Sequence, residues 1–202
     1  LNPIDLLERL DEQQRQRLEL LPGAHRGGFV SSELLPVHAV LVSVLERDLC
    51  RGSVFCEWGS GLGAVCALAS SLSFEAYGIE IQSELVEGAR ELVAELGLEA
   101  AFAHGSFLQP GDEELVLDCE HTRLECSVDA YRELGITPAE CDVVFAYPWP
   151  GEEQMHDLVF ARHATPGALL LTHHEGSRVL IQQRTDDPDE LLPLGWVESS
   201  SG

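Results

Sequence analysis

Five short, largely apolar runs, at residues 54–57, 76–79, 100–104, 143–146 and 168–172, alternate along this chain with stretches whose apolar positions recur at helical spacing. Strands without polar alternation are buried on both faces, and intervening helices supply the cover. The pattern therefore predicts an α/β domain on a mostly parallel sheet with helices on both faces. Helical spacing is clearest where Leu85, Val86, Ala89, Leu92, Val93 and Leu96 share a face, with Ser83 as cap and Gly97 as stop. Two more helices are expected ahead of the first strand. One opens at Asn2-Pro3, turns Ile4, Leu7, Leu10, Leu18 and Leu21 inward and stops at Pro22-Gly23; the other follows Phe29-Val30-Ser31-Ser32 and buries Val37, Val40, Leu41, Val44 and Leu45.

No Ser/Pro-rich linker divides the chain, so residues 1–202 read as one domain, with a helical cap (1–50) on a sheet core (51–202) that ends in a short tail. Residues 105–142 exceed what one connecting helix needs; 124–134 can form that helix and the acidic stretch 111–121 a surface loop or hairpin. Only His173 to Ser177 separate the fifth strand from the β-like run 178–184. That is too short for a crossover helix, so a sixth strand is expected to return antiparallel beside the fifth.

The first strand breaks into Glu57-Trp58-Gly59-Ser60-Gly61-Leu62-Gly63, ahead of a helix over 64–72. Glycines at alternate positions let a ligand lie against the backbone, and the helix start behind them offers unpaired N–H groups. Two nucleotide-binding patterns fit. Gly59, Gly61 and Ala64 satisfy the dinucleotide form G-x-G-x-x-[GA]; Glu57, Gly59, Gly61 and Gly63 satisfy E-x-G-x-G-x-G. Glu57 decides between them, because it would repel a pyrophosphate and attract the ammonium and sulfonium of S-adenosylmethionine. The segment thus resembles motif I of the class I S-adenosylmethionine-dependent methyltransferases. Glu80 strengthens the likeness: it ends the second strand 21 positions after Gly59, where a carboxylate can accept both ribose hydroxyls.

The resemblance implies strand order 3-2-1-4-5 with an antiparallel strand beyond, and S-adenosyl-L-methionine across the carboxyl ends of the first two strands, with S-adenosyl-L-homocysteine as product. Carried onto these residues, Trp58, Gly59, Gly61 and Gly63 form the cofactor loop and Glu57 faces the methionine amino group. Glu80 holds the ribose with Ile81 beside it, and Ser106 and Phe107 meet adenine where many members carry an acid. The fourth strand runs into Tyr147-Pro148-Trp149-Pro150, at the place where the family selects its acceptor. The [DN]-P-P-[YFW] of amino-methyltransferases is not met there, because the Asn or Asp is missing. Phe29-Val30-x-Ser, Glu57-x-Gly-Ser-Gly, Gly78-x-Glu80 with Leu85-Val86, residues 142–147 and Pro166-Gly167-Ala168 look loosely like the protein-lysine methyltransferases of the ATP-synthase c subunit and their prokaryotic relatives. Tyr147 is then the residue expected to align the acceptor, with Trp149 and Phe29 as apolar walls and Glu152 or Glu153 attracting a cation.

Charge sharpens the choice of partner. The chain carries 35 acids against 12 bases, all Arg, for a net charge of −23. Without lysine there is no Schiff-base chemistry, and a surface this negative disfavours DNA or RNA and favours a cationic protein side chain or a small-molecule acceptor. Six cysteines form no C-x-x-C pair, which suits a reducing, cytoplasmic compartment; no signal peptide and no membrane span are visible, and a start at Leu1 says nothing of an upstream segment. The reading is an S-adenosylmethionine-dependent methyltransferase that N-methylates an amine and needs no metal. Two alternatives stand beside it. Small-molecule O-methylation could use His156, His163, His173 and His174 as metal ligands, two adjacent histidines in a loop being more often simply exposed; the other is a cofactor-binding protein without activity.

Overall fold

The computed structural model describes residues 2–20, 32–115, 130–175, 177–187 and 190–198. Its elements are α1 (Pro3–Leu20), α2 (Leu34–Glu46), β1 (Val54–Trp58), α3 (Ala64–Ser71), β2 (Glu75–Glu80), α4 (Ser83–Leu96), β3 (Ala100–His104), α5 (Ala130–Leu134), β4 (Val143–Ala146), α6 (Glu153–His163), β5 (Leu169–His174), β6 (Arg178–Arg184) and β7 (Leu191–Glu198). The strands form one sheet in the order β3-β2-β1-β4-β5-β6-β7. Pairing is parallel from β3 to β5 and antiparallel from β5 through β7, so the short turn after β5 does return the chain as expected.

Side-chain alternation sorts the core onto two faces. Phe55, Val143, Phe145, Leu169 and Leu171 lie on the face covered by α1 to α4, whereas Cys56, Trp58, Val144, Ala146 and Leu170 lie under α5 and α6. The first two helices join the former core, with Leu6, Leu10, Leu34, Val37, Val40, Leu41 and Val44 all buried. Arg17 ties α1 to α4 through Glu95 at 2.9 Å.

Several sequence expectations need correction. In α1 the inward row is Leu6, Leu10 and Gln14, an i, i+4 series, while Ile4 is exposed and Leu7 and Leu18 are half-buried. Leu21 lies outside the described residues. Leu45 in α2 is exposed. Ser83 is the first helical residue of α4 and Gln82 takes the cap position, with Gly97 closing the helix as expected. The segment between β3 and β4 shows a 3-10 turn at Glu113–Leu115 and helix only over Ala130–Leu134; the other residues assigned to a loop and helix there lie outside the described set. β5 runs two residues further than expected and takes in His173 and His174.

The expected tail is in fact β7. Its Pro193 lies opposite Gln182, where the β6–β7 register shifts between Ile181 and Gln182. An outer strand tolerates a proline at such an irregularity because the missing N–H breaks no inner ladder.

Candidate functional site

The carboxyl ends of β1 and β2 carry the glycine loop. After the last β1–β2 pair, Trp58 with Ile79, both Gly59 and Ser60 donate their N–H groups to the Ile79 carbonyl at 2.9 Å. The chain therefore turns sharply away from the sheet. Gly59 has φ of 73°, and a Cβ built on it would meet nothing within 4 Å, so this glycine borders open space. Gly63 also has positive φ, but there a Cβ would strike Phe102 and Ala89 at 2.7–2.8 Å. Gly63 thus lets the start of α3 pack closely on its neighbours.

Glu80 faces the same loop. Its Oε2 accepts the Gly61 N–H and its Oε1 the Gln82 N–H, both at 2.9 Å, which fixes the carboxylate although it is buried. Burial pushes its pKa up, against the backbone hydrogen bonds from Gln82, Gly61 and Ile81 that lower it. A cavity of about 80 Å³ opens beside it, lined by Gly59, Ile79, Glu80, Ile81, Gly105, Ser106 and Phe107. Five of the residues expected to hold the cofactor (Gly59, Glu80, Ile81, Ser106 and Phe107) therefore converge on one cleft, and Gly61 is bonded to its carboxylate. A larger open groove of about 660 Å³ lies at the far end of the sheet, by Ser53, Ser73 and Glu99 at the amino ends of β1 to β3.

Glu57 lies beneath α3. Its Oε2 accepts both the Cys66 N–H at 3.2 Å and the Cys66 Sγ–H at 3.1 Å. Desolvation outweighs these bonds and raises the Glu57 pKa to about 8, with Glu80 adding to the rise. Neither Glu57 nor Glu80 has an ion-pair partner among the described residues. Two buried acidic groups without a counter-cation suit a ligand bearing hydroxyls or a positive charge.

On the opposite face the cleft is stiffened by aromatic rings. Trp58 stacks on Phe107 with centroids 4.6 Å apart and planes 5° from parallel, and donates its indole N–H to the Tyr131 hydroxyl at 2.7 Å. His156 lies against both rings, its Nδ1 2.9 Å from the Glu152 carbonyl, and burial lowers its pKa. Buried Ser106 accepts the Leu108 N–H on its own Oγ.

The stretch that follows Phe107 is clamped to α6 by Asp112, which is fully buried and binds the Gln109 N–H, Arg162 and His163 at 2.8–3.1 Å. Removing one partner of a buried ionic cluster leaves the others unpaired. Asp112→Ala is therefore expected to cost about 3 kcal/mol of stability, measured by urea denaturation, while His163→Gln costs less because Arg162 still neutralises the acid.

The β4 end is where the sequence places the acceptor. Ladder pairs Glu80–His104, Trp58–Ile79, Trp58–Ala146 and Ala146–Thr172 place His104, Glu80, Gly59, Tyr147 and His173 in a row across the carboxyl edge. Tyr147 is half-buried, its ring 4.6 Å from that of His173 and edge-on at 69°. Trp149 is half-exposed on the following turn, and Glu152 is buried at the start of α6. Glu153 accepts the Gly151 N–H at 2.8 Å. Phe29 lies outside the described residues. The histidines considered as metal ligands are dispersed: His163 binds Asp112, His156 faces Trp58, and His174 pairs with Thr172 at 2.8 Å and packs on Trp196. Among the described residues no three His, Cys, Asp or Glu side chains gather as a metal site. Contrary to expectation, His173 and His174 are not exposed loop residues; His173 is buried and His174 is half-buried in β5.

The sequence matches no protein-family model and no curated protein. Solved structures do match. An RNA methyltransferase from Salinibacter ruber, in complex with S-adenosyl-L-homocysteine, superposes with a TM-score of 0.52 at 20% identity, over 73% of this chain and 92% of that one. A Klebsiella pneumoniae protein assigned as an O-methyltransferase gives 0.50 at 17% identity, over 83% of this chain and 64% of that one. This chain has the class I methyltransferase fold. The cleft at Glu80 lies at the carboxyl ends of β1 to β3 of that fold, and Tyr147 leads out of its fourth strand. Sequence reasoning did not single out Cys66, Tyr131 or Asp112. Tyr131 and Asp112 find partners in distant segments, and Cys66 meets Glu57 only because α3 folds back over β1.

Proposed function

We propose that this protein is an S-adenosylmethionine-dependent methyltransferase whose acceptor is an amine nitrogen, most simply on a protein side chain. The observation that carries the cofactor is the cleft in which an open Gly59, the tethered Glu80 carboxylate, Ile81, Ser106 and Phe107 meet. Glu80 would accept the ribose hydroxyls, and the ring of Phe107 would lie against adenine. Trp58 would act through Phe107, which it holds by stacking worth about 1 kcal/mol beyond burial. Glu57, which keeps its proton to about pH 8 in the ligand-free chain, would ionise as the methionine ammonium docks above it. When bound, the cofactor supplies a methyl group activated by its sulfonium. The chain's own task is to align a nitrogen lone pair with that methyl and to exclude water. Tyr147 is suited to it, since it borders Gly59 in the edge row and is stiffened by buried Pro148. Half-exposed Trp149 would meet the remainder of the acceptor.

The net charge of −23 supports a cationic acceptor over a nucleic acid. The protein is expected to show no salt-dependent retention of tRNA in filter binding at low ionic strength. Incubation with tritiated S-adenosylmethionine and cell extract tests the acceptor: label is expected in the protein fraction, equally with and without EDTA. Label in RNA, or activity that EDTA abolishes and a divalent ion restores, contradicts the amine reading.

A further inference from the structure

His173 is 2% exposed, yet neither of its ring nitrogens has a hydrogen-bond partner among the described residues. An unpaired buried polar group is destabilising, and a ligand that completes its bonding accounts for its presence. The position of His173 says which ligand. It follows Thr172, the ladder partner of Ala146, so it stands next to Tyr147 in the edge row and two strands from Gly59. Its ring meets Tyr147 edge-on, so the two rings form a corner at the carboxyl edge of β4 and β5.

A carboxylate completes that corner. Glu33, immediately ahead of α2, accepts a hydrogen bond from the Ser177 hydroxyl, which ties it to the turn that follows β5. It is exposed and acts on His173 electrostatically. Glu152 is buried at the start of α6 and Glu153 is engaged with the Gly151 N–H, whereas Glu33 is the carboxylate whose charge acts on His173. Burial depresses the His173 pKa, neighbouring His174 depresses it further, and Glu33 only opposes them. The ring is therefore neutral near pH 7 and presents one accepting nitrogen.

We infer that His173 binds the methyl acceptor directly: its unprotonated ring nitrogen takes a hydrogen bond from the amine N–H, beside the Tyr147 ring, with Glu33 drawing the charged amine to the mouth. The inference rests on the proposed cofactor reading of the adjoining cleft. It gives the site a preference for a primary or secondary alkylamine, because a fully substituted nitrogen has no hydrogen to donate. Once the ammonium has released one proton to solvent, the remaining N–H bonded to His173 fixes the lone-pair direction that in-line transfer needs.

The test uses n-butylammonium as a probe of a lysine-like side chain, added to the protein saturated with S-adenosylhomocysteine. Imidazole nitrogen resonances are followed by NMR, with His173 assigned through His173→Gln. The inference expects the His173 nitrogens to shift with saturation by n-butylammonium. Tetramethylammonium should leave them unmoved. His173→Gln and Glu33→Gln should each weaken the probe at least tenfold and change S-adenosylhomocysteine affinity less than twofold; Glu33 is exposed, so its variant reports even where His173→Gln fails to fold. His173 resonances that do not move, or equal response to tetramethylammonium, overturn the inference and leave the cofactor reading intact. Failure of S-adenosylhomocysteine to bind the unsubstituted protein overturns both.

Discussion

Gly59→Val is expected to abolish S-adenosylhomocysteine binding, by 100-fold or more in affinity, while the protein still folds. Two effects of the substitution must be separated. The φ of 73° strains any residue with a Cβ, by about 1–2 kcal/mol. The added side chain also projects into space that holds no protein atom within 4 Å. Gly97→Val separates them, because Gly97 has φ of 66° and equally open surroundings but caps α4 away from the cleft. Both variants should lose similar stability in urea. Only Gly59→Val should lose the ligand, and equal affinity in the two variants would remove Gly59 from the site.

The second large effect concerns stability and pH. Glu57 keeps its proton to about 8 in the folded chain, against an ordinary value of 4.5. Between those values the folded state binds more protons than the unfolded state, so stability falls as pH rises. For a shift of this size the stability at stake is on the order of 5 kcal/mol, all of it present below pH 4.5 and all of it lost above pH 8. Glu57→Gln keeps an oxygen for the two Cys66 donors and removes the ionisation. Urea denaturation of the ligand-free protein should show the variant gaining on the parent steadily from pH 5 to pH 8.5. A difference between the two that does not change with pH would mean that Glu57 is ionised throughout.

The parts of the fold legible in the sequence are those in which local pattern and global position agree. β1, β3, β4 and β6 lie where apolar runs end in punctuation such as the Gly59 loop, and α4 lies where periodicity ends at Gly97. β7 was illegible because Pro193 and Gly195 interrupt it and its residues alternate between half-buried and exposed without a clean period. On an outer strand those residues cost little, so nothing forced a recognisable pattern. The inward face of α1 was misread for a related reason. Leucines occur all round that helix, and only packing reveals that Leu6 and Leu10 are the buried pair.

At the site, the cofactor half was readable because glycine spacing and the Glu80 interval are set by backbone geometry within one βαβ unit. The acceptor half was not, because it is assembled across β4, β5 and the start of α2. His173 looked like half of an exposed pair until β5 proved to extend through it and its neighbour. Glu152 looked like a surface acid until its place at the start of α6 proved to be buried.

The central claim is that the Glu80 cleft holds S-adenosylmethionine, and calorimetric titration with S-adenosylhomocysteine, set beside NAD⁺, tests it most directly. The account predicts one S-adenosylhomocysteine site per chain, no heat with NAD⁺, and a loss of about 1–3 kcal/mol in Glu80→Ala from the charged hydrogen bonds removed. Binding of NAD⁺ without S-adenosylhomocysteine, or unchanged affinity in Glu80→Ala, would contradict it.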